Sequence, residues 1–268
     1  MTEAALRTGA KANASHQFYF AMALTCLAIA VLGFMPTYFL PMAQGRFRAE
    51  PLVHIHGLVL FSWMALFCTQ TWLVAQGKTV AHRTWGMLGV AIATAMVFVV
   101  TAVVSLRVAQ ASLPGQPEGL AHHVRAFAWV SMGGIGFFAV LFILAIVNIR
   151  RPETHKRLLL LATISMLGAP IARWFLTFLA PHGGPPPTPP PGLPLVGAPP
   201  VFVAVPPALL GDLLLFLAMW VDWRTRGRPH PVYLIGGAAM LVLHLTQVPV
   251  AESPAWQAIA AAIGRIAG

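Results

Sequence analysis

Seven long apolar runs dominate this sequence, and each is about as long as a helix must be to cross a lipid bilayer. A spanning helix needs about 20 apolar residues, because the hydrocarbon core is about 30 Å thick. Only helices and closed barrels satisfy every backbone polar group in that solvent. The sequence therefore predicts an all-α integral membrane protein with seven transmembrane helices. The predicted spans cover residues 18–40, 54–76, 84–106, 125–148, 158–180, 203–221 and 232–249.

The low content of charged residues excludes a soluble domain. Charged residues make up 9% of the 268 positions and apolar residues 58%, whereas soluble domains carry roughly 25% charged residues. The net charge of +10 does not predict nucleic-acid binding, because the basic residues lie in short loops between the apolar runs. Cys26 and Cys68 both lie inside apolar runs, so we expect no disulfide framework and no zinc motif.

Positive charge alternates between successive loops, and this alternation predicts the orientation of the chain. Lys and Arg collect on the cytoplasmic side of membrane proteins. The basic set consists of the N-terminus and the loops 77–83, 149–157 and 222–230, whereas no Lys or Arg lies between residues 181 and 203. This bias predicts a cytoplasmic N-terminus and an outside C-terminus, in a bacterial inner membrane.

Three segments fall outside the predicted spans. Residues 1–17 form a predicted cytoplasmic tail. Residues 181–202 are rich in proline, which lacks a backbone donor and breaks helices, so we expect a stiff outer loop there. Residues 250–268 place apolar side chains from Trp256 to Ile266 at helical spacing, which predicts a short helix in the outer membrane interface.

Histidines recur at both ends of the predicted helices two to five, a four-helix core that covers residues 50–180. Two imidazoles form strong axial ligands for a haem iron suited to electron transfer. The pattern permits one haem between helices two and four at the outer end, and another between helices three and five at the inner end. At the outer end lie His54, His56, His122 and His123, and at the inner end lie His82 and His155.

The spacing of His54 and His56 does not decide which of the two is the ligand. His54 and His56 are about 200° apart on an ideal helix, so at most one of them faces a given partner. The same question stays open for His122 and His123.

This histidine placement resembles the cytochrome b561 superfamily, in which four helices each supply one haem-ligating histidine in the same alternating pattern. The resemblance implies one or two haem b groups, with His54, His122, His82 and His155 as axial ligands. The segments "HRTWG" (82–86) and "HKRLLLLATISMLGAPIAR" (155–173) are also similar to a group of uncharacterised bacterial multi-pass membrane proteins. That group carries HR-x-x-G and HK/HR-R motifs, and no established activity of the group can be transferred to this chain.

Three ionisable residues lie well inside predicted spans: Arg173, Asp212 and His244. Such a residue costs about 2.5–3.5 kcal/mol on membrane-insertion scales, so it is usually paired and faces the protein interior. We expect Arg173 and Asp212 to form a buried ion pair, and Asp212 is the one acidic residue inside the predicted spans. The functional alternative is that Arg173 binds a haem propionate or a quinone carbonyl, while Asp212 and His244 handle protons.

The leading hypothesis is a b-type haem-binding membrane electron-transfer protein, linked to a quinone or to a redox protein on the outer face. One alternative is a cofactor-free transporter or sensor that uses Arg173, Asp212 and His244. Another is a structural or assembly subunit of a membrane complex, and a fourth hypothesis places iron or copper on the same imidazoles. The partner common to all four is the lipid bilayer.

Overall fold

Helices joined by short turns account for nearly all of the chain in the computed structural model, which describes residues 3–47, 49–179, 193–194 and 196–267, with side chains from residue 14 onward. No strand occurs in these ranges, so the all-α prediction is confirmed for them. The helices are α1 (Glu3–Phe34), α2 (Leu40–Ala43), α3 (Pro51–Ala75), α4 (Thr79–Ala111), α5 (Leu120–Val147), α6 (Pro152–Ser165), α7 (Gly168–Trp174), α8 (Val205–Arg226), α9 (Pro231–Leu245), α10 (Gln247–Ala251) and α11 (Pro254–Ala267).

Six helical segments within the described residues are long and apolar enough to cross a membrane. Three of them are the single helices α3, α4 and α5. The other three are composite. Helix α1 continues through a π-helical turn into α2, and α6 and α7 are followed by a second π-helical turn that ends at Leu179. A 3-10 turn precedes α8. The six segments are Ala14–Ala43, Pro51–Ala75, Thr79–Ala111, Leu120–Val147, Pro152–Leu179 and Val201–Arg226.

The seventh apolar run does not form one long helix. Helix α9 has 15 residues, a length of about 22 Å, and the chain turns at Thr246 before α10. Pro249 explains the turn, because it cannot donate to the Leu245 carbonyl and its ring crowds that carbonyl. The same effect separates α6 from α7, where the turn at Met166–Leu167 precedes Pro170.

The structure bears differently on the predictions for the three segments outside the spans. Helix α1 already begins at Glu3, so the predicted tail of residues 1–17 is continuous with the first span. Most of the predicted proline-rich loop lies outside the described residues, and its described end at residues 196–200 is not helical. The predicted C-terminal helix is α11, which packs against α4 and α5.

Contacts between side chains define the two ends of the bundle. One end holds the beginnings of α3 and α5 together with α11, and the other holds the beginnings of α4, α6 and α9. We call the first the outer end and the second the inner end, after the orientation that the sequence predicts. At the outer end, Trp256 Nε1 of α11 donates to the Arg125 carbonyl at 2.7 Å, which ties α11 to α5.

A buried ion pair joins α6 to α8 at the inner end. Arg157 donates from Nε and Nη2 to the two oxygens of Asp222, at 2.8 and 2.5 Å, and from Nη1 to Glu153 at 2.7 Å. The candidate spans begin at Pro152 and end at Arg226 here, so Glu153 and Asp222 are acidic residues inside candidate spans besides Asp212. This corrects the prediction that Asp212 stands alone. A bidentate, charge-assisted pair of this kind fixes the relative position of the helices it joins.

We predict that Gly33→Ala destabilises the bundle, because α1 meets α7 at this residue with no room for a side chain. A Cβ on Gly33 would lie 2.6 Å from the Cβ of Pro170 and 2.7 Å from its carbonyl carbon. Overpacking of this kind costs about 1–3 kcal/mol. The matched control is Gly136→Ala on α5, whose Cβ would meet nothing within 4 Å. Thermal unfolding in detergent should show a lower midpoint for Gly33→Ala alone, and equal midpoints would contradict the close packing.

Candidate functional site

A cavity of about 210 Å³ lies in the outer half of the bundle. Side chains of α1 and of α3 to α10 contribute to its wall, and most of them are apolar. Typical small-molecule pockets measure about 300–1,000 Å³ and combine apolar walls with a few convergent polar groups. This cavity is smaller but has the same character. Its polar side chains are His56, Ser131, Ser165, His244 and Gln247.

The two histidines that open α3 point in different directions. His56 lines the cavity, and its Nδ1 atom is buried without a hydrogen-bond partner in the described part of the chain. His54 instead pairs its Nδ1 with the Tyr38 hydroxyl at 2.9 Å and packs against Phe47, with 5.7 Å between ring centroids. The helical spacing allowed only one of the pair to face a given partner, and the structure assigns the cavity to His56.

An unpartnered buried nitrogen points to an interaction that the protein alone does not supply. Leaving such a group unsatisfied costs about 1–3 kcal/mol, and most buried polar atoms in proteins do have a partner, which includes bound water and ligands. Gln247 also has an unpartnered polar atom. Its side chain is buried and lines the cavity, and its Oε1 atom has no partner among the described residues. The sequence analysis missed Gln247, although a lone amide inside the last apolar run was a usable signal.

Asp212 and His244 form a buried pair at the cavity wall. Their side chains are buried to within a few per cent, with relative exposures of 1% and 6%. His244 Nδ1 lies 2.9 Å from the Asp212 carboxylate, so the imidazole donates this N–H to the acid. No hydrogen bond occupies Nε2 within the described residues, and this nitrogen is therefore the one that the ring can offer to a ligand.

The expected ion pair between Arg173 and Asp212 is not formed. Asp212 is taken by His244, while the Arg173 guanidinium lies 5.3 Å from the centre of the Phe34 ring, a cation–π contact. No carboxylate of the described chain lies within ion-pair distance of Arg173. Phe34 lines the cavity, so Arg173 sits beside the cavity and brings a positive charge to this side.

The other outer histidines are directed away from the cavity. His122 and His123 are exposed, and His122 Nε2 lies 2.7 Å from a Glu252 carboxylate oxygen next to α11. Because His54 is bonded to Tyr38 and His122 to Glu252, the structure does not bring together the predicted outer ligand pair.

The inner histidines are placed differently. His82 lies in the first turn of α4 and His155 in the first turn of α6, both at the inner end. His155 Nδ1 lies 2.8 Å from the Ala145 carbonyl and so carries the hydrogen, which leaves a lone pair on Nε2. His82 Nδ1 is buried and has no partner in the described chain. Metal-ligating histidines commonly have their second nitrogen held by a backbone carbonyl in this manner.

A site for a bare metal ion needs more ligands than these clusters provide. Within the described residues, no group of three or more His, Cys, Asp or Glu side chains is placed to hold a metal ion. An iron or copper site built from such a group is therefore not assembled there. A haem needs only two protein ligands, because its porphyrin nitrogens supply the other four.

Comparisons with protein-family models, with curated proteins and with solved structures each found no match. The function of the chain must therefore be inferred from the two histidine sites and the cavity.

We predict that Asp212 and His244 are energetically coupled. Alanine at either position leaves the other polar group buried without its partner, so Asp212→Ala and His244→Ala together should destabilise the protein by less than the sum of the single changes. Contacting residues show coupling energies of about 0.5–3 kcal/mol. The measurement is a double-mutant cycle on the free energy of unfolding in detergent.

The control for this cycle pairs Asp212→Ala with His122→Ala. His122 makes its hydrogen bond to Glu252, so its effect should add to that of Asp212→Ala. Additivity in both cycles would show that the contact between His244 and Asp212 contributes nothing.

Proposed function

We propose that the chain is a b-type haem-binding membrane electron-transfer protein with one haem near the inner end of the bundle. His82 and His155 are the residues that would hold its iron. The observation that carries the proposal is the hydrogen bond from His155 Nδ1 to the Ala145 carbonyl at 2.8 Å, at the end of the bundle where His82 also has a buried, unpartnered Nδ1.

The residues at the inner end fit the ligand chemistry of a haem. A bound haem supplies a reversible one-electron couple, and two imidazoles favour electron transfer over oxygen binding. The Ala145 carbonyl holds the His155 ring in the tautomer that presents Nε2, and the same bond makes that nitrogen more basic. His82 lies in the first turn of α4, on a helix that is separated from α6 by α5 in the chain.

The outer histidines do not supply a second ligand pair in this proposal. His54 is engaged by Tyr38 and His122 by Glu252. The proposed stoichiometry is therefore one haem per chain, with the outer cavity left for a different ligand.

The proposal includes a topology of seven crossings in a bacterial inner membrane, with a cytoplasmic N-terminus. Helix α9 runs antiparallel to α8, since His230 contacts Asp222 at one end and His244 contacts Asp212 at the other. Helices α9 and α10 carry the chain from His230 at the inner end to Ala251, which packs with Ala126 near the beginning of α5 at the outer end. A seventh crossing fits this path, and the loop charges support the orientation.

The buried pair of Asp212 and His244 favours a second candidate function, a cofactor-free transporter or sensor. Ionisable residues that face the interior of a membrane bundle often mark substrate or proton paths. This candidate requires no bound haem, so the haem content of the purified protein separates it from the first.

We predict about one haem b per chain after expression with sufficient haem, with the spectrum of a low-spin bis-imidazole iron. His82→Ala and His155→Ala should each abolish that spectrum, because either change removes an axial ligand. Difference spectra of reduced minus oxidised protein, together with a pyridine haemochrome assay, provide the measurement.

The controls are His54→Ala and His122→Ala, which should keep the full haem content. Added imidazole should restore the low-spin spectrum of His82→Gly, which distinguishes a ligand from a residue needed for folding. A wild-type protein without haem, or full haem in both inner variants, would disprove the proposal.

A further inference from the structure

The outer cavity has the properties of a site for an apolar molecule with polar atoms at two positions. Its walls are formed largely by aromatic and aliphatic side chains, among them Phe34, Phe61 and Phe127. Two imidazoles interrupt these walls from α3 and α9, helices whose main packing contacts are with other elements. A ligand between them would meet hydrogen-bonding groups at two points and apolar surface elsewhere.

The two imidazoles differ in what they offer. His244 has its Nδ1–H engaged by Asp212 at 2.9 Å, so the neutral ring offers the lone pair of Nε2 and accepts a hydrogen bond. His56 Nδ1 has no partner among the described residues, and an imidazole nitrogen either donates or accepts according to tautomer. A ligand hydroxyl would therefore donate to His244, while a second oxygen would pair with His56.

Charge narrows the class of ligand. The Arg173 guanidinium packs on the Phe34 ring, which lines the cavity, and its charge disfavours a cationic ligand there. The Asp212 carboxylate is already bonded to His244, and it does not line the cavity. The location within the outer half of an apolar bundle favours a molecule that arrives from the bilayer. A neutral, flat ring that carries two oxygens meets all of these conditions.

We propose that this cavity binds the ring of a membrane quinol or quinone, with one oxygen at His244 Nε2 and the other at His56. The volume of about 210 Å³ suits a headgroup and not a whole lipid, so the isoprenoid tail lies between helices or in the bilayer. Binding of the quinol or quinone depends on the cavity alone, whereas the role of this ligand as a source or acceptor of electrons rests on the proposed haem.

The test measures binding of decylubiquinol and decylubiquinone to the purified protein in detergent. Trp63 lines the cavity, so quenching of tryptophan fluorescence reports occupancy, and equilibrium dialysis confirms the stoichiometry. We expect about one ligand per chain, and tighter binding of the quinol, because its hydroxyl donates to His244 Nε2.

The polar contacts are tested with a matched pair of histidines on one helix. His56→Leu should weaken binding about tenfold, equivalent to about 1.4 kcal/mol, while His54→Leu should bind as the wild type does. His244→Leu should remove the preference for the quinol. Equal affinity in the His54 and His56 variants would overturn the assignment.

The shape of the cavity is tested without removing any polar group. Gly134 lines the cavity, and a Cβ there would meet nothing within 4 Å, so Gly134→Leu should fill the space and abolish binding. The control is Gly136→Leu, two residues further along α5, at a position that does not line the cavity. Unchanged binding in Gly134→Leu would place the ligand elsewhere.

Two further measurements separate this inference from its alternatives. The haem-free variant His155→Ala should still bind decylubiquinol, so a loss of haem leaves the site intact and the two proposals fail independently. Decanoate should not displace the quinol. Displacement by decanoate at similar concentrations would show a carboxylate site at Arg173 instead, and absence of any quinol binding would show that the cavity holds only water.

Discussion

The bilayer offers no water to a polar group inside it, and this constraint governs the arrangement of almost every polar side chain in the bundle. A buried polar atom without a partner is costly in any protein, and in hydrocarbon only other protein groups or a ligand can satisfy it. At the inner end the chain meets most of this requirement internally, through Arg157 with Asp222 and Glu153, and through the hydroxyls of Tyr19 and Tyr233 at 3.2 Å. His82 Nδ1 is the exception there among the atoms discussed, because it is buried without a partner in the described chain. At the cavity it does so only in part, because His244 is satisfied by Asp212 while His56 and Gln247 keep unpaired atoms.

Most of the helical architecture follows from the apolar runs, whereas the helix ends do not. The hydropathy of a run indicates how much chain the membrane can hold, but a helix continues as long as its backbone bonds can form. Helix α4 therefore begins at Thr79 and α8 ends at Arg226, several residues beyond the predicted spans. The prediction of a seventh long helix neglected Pro249. Because Pro249 cannot donate a hydrogen bond to the Leu245 carbonyl and crowds it, α9 ends early.

The sequence predicted how deep in the membrane the residues of the candidate site lie, but not which side chains contact each other. Sequence position along a span places His56, Asp212 and His244 in the outer half, and the structure has them there on one cavity wall or beside it. Which residues meet depends on the rotation and crossing of each helix. The pattern therefore did not indicate that Asp212 pairs with His244 and not with Arg173, or that His122 is drawn to Glu252 on the segment before α11. Those pairings come from the packing of α9 and α11, elements of the chain's last forty residues.

The difference between the two ends of the bundle affects how the molecule moves. The inner end is held by the charge-assisted hydrogen bonds of Arg157, which have a fixed geometry. The apolar walls of the cavity meet mainly through dispersion contacts worth about 0.1–0.2 kcal/mol for each pair of atoms. Contacts of the second kind break one at a time. We therefore expect the cavity walls to separate more readily than the base of the bundle, where Arg157 and Asp222 hold α6 to α8. A ligand could enter and leave the cavity in this way while the electronic environment at the base stays constant.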